Sequence, residues 1–123
     1  MNNNKQFSIG CRIKSVGFAI EGIATFFKTQ HNAWIHALAA IIVVFAGFVL
    51  NVNSNEWCLL TFAIALVIVA EMLNTAIEFL TDLVSPNHNQ QAKKVKDVAA
   101  GAVLISSIAA VVIGLIVFLP KIF

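Results

Sequence analysis

Three long apolar stretches take up more than half of this short chain, and they constrain its fold more than any other feature. The first runs from Ala33 to Leu50, the second from Trp57 to Val84, and the third from Val98 to Leu119. With 123 residues, 59% of them hydrophobic and only 11% charged, the chain cannot hide so much apolar side chain inside a soluble core. A bilayer can accept it, because a hydrocarbon layer of about 30 Å is crossed by roughly 20 apolar residues in a helix. The expectation is an all-α membrane protein forming one domain over 1–123, with spans at 33–50, 57–84 and 98–119.

The residues before the first span, from 5 to 28, mix Phe7, Ile9, Ile13, Phe18, Ile20 and Phe26 with Lys5, Arg12, Lys14, Glu21 and Lys28. That pattern is too polar to cross a bilayer and predicts an amphipathic helix lying along the headgroups. Gly10, Gly17 and Gly22 mark points where it would break or pack closely. The opening MNNNKQFSIGCRIK lacks the apolar core and small-residue cleavage site of a signal peptide, so the first span is expected to remain in the mature protein.

Basic residues set an orientation. Lys5, Arg12, Lys14 and Lys28 precede the first span and Lys93, Lys94 and Lys96 precede the third, whereas the NVNSNE connection has no Lys or Arg. By the positive-inside rule the N-terminus and the loop 85–96 face the cytoplasm. Trp34 and Trp57 then mark opposite interfaces, and Cys11 and Cys58 fall on different sides, so no disulfide within the chain is expected. A net charge of +2 leaves no electrostatic footprint for nucleic acid, and none is expected as a partner.

Three of the six acids, Glu71, Glu78 and Asp82, lie on the second span together with Asn74. At 100° per residue these four positions fall within an arc of roughly 80°, a polar stripe on an apolar helix. Ionisable groups at membrane depth are costly and by default face protein or water for a functional reason. Lys96 and Asp97 open the third span at the same level. Several carboxylates beside a lysine suit Mg²⁺ held by one or two carboxylates plus phosphate oxygens, the chemistry of phosphoryl transfer. No GxxxxGK[ST] loop or protein-kinase signature is present. His31, His36 and His88 share no metal-ligand spacing, and His36 is expected to make an interfacial hydrogen bond. Lys93 and Lys94 are read as topology and headgroup contacts.

The order E-x-x-N-T-A-I-E-x-x-x-D, followed by K-D-x-A-x-x-A-V-L, resembles the prokaryotic diacylglycerol kinase family, and the resemblance covers nearly the whole chain. The segment GIATFFKTQHNAWIH and the last span are more similar to the undecaprenol kinases of that family. The resemblance implies a homotrimeric helical bundle with active sites shared between subunits at the cytoplasmic surface. It implies ATP and Mg²⁺ as cofactors and a lipid alcohol, undecaprenol or diacylglycerol, as substrate. Position by position it makes Glu71 the general base, Glu78 a metal ligand, and Asn74, Asp82, Lys96 and Asp97 the groups that hold and order the nucleotide. Two departures stand out. Gln30 occupies the place of a second metal-binding glutamate before N-x-x-I-H, and Cys11 falls where the family has a nucleotide-contacting arginine, a role that Arg12 takes over. Two other readings remain open at this point: a family-fold protein with weakened activity because of Gln30, and a small proton-coupled transporter working through Glu71.

Overall fold

The computed structural model describes residues 8–123; Lys5, Phe7 and the expected first turn of the surface helix lie outside the described residues. Over that range the chain forms four helices and no strand: α1 (Ile9–Thr29), α2 (His31–Val49), α3 (Ser54–Val84) and α4 (Gln90–Ile122). The last three are long and apolar enough to cross a membrane.

Each of these three helices is longer than the apolar stretch inside it. Hydropathy marks the length immersed in hydrocarbon, whereas backbone hydrogen bonding continues until a cap or a proline ends it. At the start of α4, Asn89 accepts from the backbone N–H groups of Gln91 and Ala92, so the helix begins eight residues before the apolar run. At its other end Pro120 lies within the last turn, and the helix runs on to Ile122.

α1 begins at Ser8, whose hydroxyl accepts from the Cys11 backbone N–H. It continues unbroken through Gly10, Gly17 and Gly22, and a Cβ at Gly17 or Gly22 would meet nothing within 4 Å. The expected breaks or close packing at these glycines are therefore not seen within the chain. One extended residue, Gln30, separates α1 from α2. The corner is held by aromatic contacts Phe26–Phe27 and Phe27–Trp34 at 5.6 and 5.3 Å, and by the Trp34 indole N–H donating to the Phe27 carbonyl at 2.8 Å.

α2 and α3 form an antiparallel hairpin. Asn51 adopts a left-handed backbone with φ 55°, which a short polar side chain tolerates well. Asn53 then starts α3 with a capping box: its carboxamide oxygen accepts from the Glu56 N–H, and the Glu56 carboxylate accepts from the Asn53 N–H. Lys121 reaches the same Glu56 at 3.1 Å and ties the end of α4 to the start of α3. Val52, Leu60 and Val117 are buried at this end, with Trp57 and Phe118 packed against them. Trp34 and Trp57 stand at opposite ends of the bundle, as expected from the sequence.

Packing within the chain is heaviest between α3 and α4. Most large apolar side chains, among them Ile41, Phe45, Phe62, Ile105 and Ile116, are exposed. An isolated chain in water could not keep such a surface, whereas lipid or further subunits cover it at no penalty.

Gly47 admits Trp57 against the α2 backbone: a Cβ there would lie 2.5 Å from the indole. Gly47→Ala is therefore expected to destabilise the protein by about 1–3 kcal/mol, the scale of an overpacked contact. The loss is read as a lower thermal midpoint in detergent, and Trp57→Leu in the same chain should recover most of it. An unchanged midpoint for the single variant would contradict the contact.

Candidate active site

The polar stripe of α3 begins deep in the apolar part of the bundle. Glu71 is only 7% exposed, and a carboxylate at that depth requires a hydrogen-bonding partner. His36 of α2 supplies it, with Nε2 2.9 Å from Glu71 Oε1. An ionised carboxylate only accepts, so with Glu71 in that form the matching His36 is one protonated on Nε2.

One turn along, the Asn74 amide donates to Glu78 Oε1 at 3.1 Å, which fixes both side chains on one face. Asn74 Oδ1 is buried without a hydrogen-bond partner among the described residues. A buried amide oxygen left in this way, next to a carboxylate, is a ready ligand for a hard cation. Among the described residues no group of three or more His, Cys, Asp and Glu side chains gathers as a metal cage. The donor set still fits Mg²⁺, which is ordinarily held by one or two carboxylates and takes its remaining oxygens from phosphates and water.

Toward the end of α3 the stripe reaches solvent. Asp82 is exposed and receives Lys96 of α4 at 2.6 Å. The connection between α3 and α4 sets this register. Pro86 holds Ser85 out of the helical region, the Ser85 hydroxyl donates to the Asn87 carbonyl, and Asn89 caps α4. Asp97, on the next position of α4, pairs with Lys93 of its own helix at 2.7 Å.

The chain thus brings Glu71, Asn74, Glu78, Asp82 and Lys96 into one line, and the other three expected site residues are found as follows. Asp97 is engaged by Lys93, Gln30 lies at the α1–α2 junction with its amide directed to Thr29, and Arg12 lies on α1. Below Glu71, between α2, α3 and α4, runs a cleft of ≈ 320 Å³ with almost wholly apolar walls. His36 and Ile68 line one end, Leu60 and Phe118 the other, a distance of roughly 12 Å along α3.

A family model described as prokaryotic diacylglycerol kinase matches residues 17–118. The chain belongs to that family. It is a lipid kinase, and the transporter reading falls away. Its relatives include the undecaprenol kinase of Bacillus subtilis, 40% identical over 108 residues that cover 88% of both chains. The diacylglycerol kinase of Synechocystis is 38% identical over 86% of this chain and 61% of the relative. The diacylglycerol kinase of Escherichia coli K12 is 28% identical over 81% of this chain and 82% of the relative.

Sequence reasoning about this kinase missed the partner of Glu71. His36 was expected to bond at the interface, yet it bonds the acid itself. A signal was present: His36 is the one titratable residue in the apolar run of α2, Glu71 is the first acid within the apolar run of α3, and a hairpin centred near Asn51 brings the two to within about one turn of each other.

The Asp82–Lys96 pair is 63% and 41% exposed at its side chains, so it contributes little to folding. Asp82→Asn and Lys96→Met are each expected to change stability by no more than about 1 kcal/mol. Thermal unfolding in detergent measures this, and a larger loss would assign the pair a structural role.

Proposed function

We propose that this kinase transfers the γ-phosphoryl group of ATP to the hydroxyl of a membrane lipid alcohol, undecaprenol, at the cytoplasmic face of a bacterial inner membrane. The observation that carries this reading is the position of Glu71: buried, bonded to the His36 that lines one end of an apolar cleft, and first in a polar line that leads out to exposed Asp82 and Lys96. A lipid lying in the cleft presents its hydroxyl to Glu71 from the apolar side, while a nucleotide comes from the polar side. The identity to an undecaprenol kinase along 88% of both chains supports undecaprenol as the acceptor. Diacylglycerol is the second reading, supported by the Synechocystis and Escherichia coli relatives.

In the transfer, Glu71 takes the hydroxyl proton as the lipid oxygen bonds to the γ-phosphorus; the bond from that phosphorus to the β,γ-bridging oxygen breaks, and ADP departs. Mg²⁺ would be held by Glu78 and Gln30, with the Asn74 oxygen beside Glu78. When bound it neutralises charge on the phosphates. Lys96, Asp97 and Arg12 are assigned to the nucleotide, and Asp82 orders Lys96 for that contact. Because one chain leaves so much apolar surface uncovered, and because the family resemblance implies it, we assign the working unit as a homotrimer with sites completed between subunits.

The test is turnover of labelled ATP with each lipid alcohol in mixed micelles. Undecaprenol should be phosphorylated faster than diacylglycerol; no product from either lipid, with Mg²⁺ or Mn²⁺, overturns the reading. Glu71→Gln should lower kcat by at least about 10²-fold, the usual scale for a positioned base. Metal dependence separates the other residues. Glu78→Ala should raise the Mg²⁺ concentration for half-maximal rate and Gln30→Glu should lower it. A gain from near-zero activity in Gln30→Glu would instead mark a chain that kept the fold but lost its metal binding.

A further inference from the structure

We propose that His36 is a positioning residue for the Glu71 base, aiming its carboxylate at the head of the lipid cleft. The inference rests on Glu71 acting as the base and adds what sets its orientation. Three observations carry it. His36 Nε2 lies 2.9 Å from Oε1 of Glu71, an acid only 7% exposed. Among the described residues Glu71 forms no second hydrogen bond, so Oε2 is left for the acceptor hydroxyl. The same imidazole forms the end wall of the apolar cleft, one helical turn below Glu71 on the α3 side.

The physical reason for such a device lies in the glutamate side chain. It has three rotatable torsions, and in an apolar surrounding nothing else would choose among its rotamers. An unpartnered carboxylate would turn toward water at the end of α3, away from the lipid. One directed N–H bond from the neighbouring helix both compensates burial and chooses the rotamer. It occupies one oxygen and leaves the other with its lone pairs for the proton to be taken. Placement of this kind governs rate rather than affinity, since a misplacement of about 1 Å can reduce turnover on the order of 10²-fold.

The geometry gives an isostere test. Glutamine places its amide nitrogen near the position of a histidine Nε2, whereas asparagine places its own near Nδ1, short of Glu71. With undecaprenol and diacylglycerol each offered in mixed micelles, His36→Leu should lower kcat about 10- to 100-fold with the KM for ATP nearly unchanged. His36→Gln should recover turnover to within a few-fold of wild type, and His36→Asn should not. In the Glu71→Gln background, His36→Leu should bring less than a twofold further loss.

Each alternative is readable. If Glu71→Gln is inactive while His36→Leu turns over like wild type, the base stands and the positioning role is wrong. That role is equally wrong if His36→Gln is no better than His36→Leu, or if His36→Leu raises only the KM for lipid, because the ring then merely packs. If Glu71→Gln keeps wild-type turnover, the base assignment fails first and this inference with it. Should His36→Leu not fold, the contrast between the Gln and Asn variants decides alone.

Discussion

A carboxylate buried between apolar helices persists there only with a partner, and the meeting of Glu71 with His36 is the contact on which the site depends. It joins α2 to α3 at the level where the apolar interior of the bundle gives way to the polar stripe. Below it the walls are aliphatic and enclose a cleft; beyond it come an amide, a carboxylate and an exposed ion pair. The two environments that a lipid kinase must join, hydrocarbon for one substrate and water for the other, adjoin at this one side chain.

Two connections hold that boundary in register. At one end the left-handed Asn51, the Asn53 capping box and the Lys121–Glu56 bridge fix how α3 starts beside α2 and where α4 finishes. At the other, Pro86 and the Asn89 cap set the length of the α3–α4 turn so that Lys96 reaches Asp82. A shift of one residue in either would rotate a helix by about 100° and carry its polar groups to another face. The caps therefore matter to the chemistry, although none of their side chains lies in the site.

Much of this was legible in the residues. The three apolar runs announced the three long helices, and the spacing of Glu71, Asn74, Glu78 and Asp82 announced a single polar face, because both follow from the period of one helix. The placement of Lys96 beside that face was also foreseen. What escaped was the partner of each group. His36 looked like an interfacial ring, and Asp97, expected at the level of the stripe beside Lys96, is engaged by Lys93 one turn earlier on its own helix. Gln30 marked a departure from the family pattern, but nothing in the residues showed that it would be the single extended link between α1 and α2.

By itself the sequence determined that this chain must be helical and membrane-embedded, that one helix would carry acids at intervals of a turn, and which family it joins. Those properties are local: they depend on hydropathy, on helical period and on ordered motifs, all of which can be read along one dimension. Only the tertiary structure decided that Glu71 is held by His36, that Asn74 keeps an oxygen unsatisfied among the described residues beside Glu78, and that an apolar cleft ends at the same His36. Each of these requires two or three helices to meet at a given height and rotation. That depends on turn geometry and on how side chains interlock, which no single helix can specify.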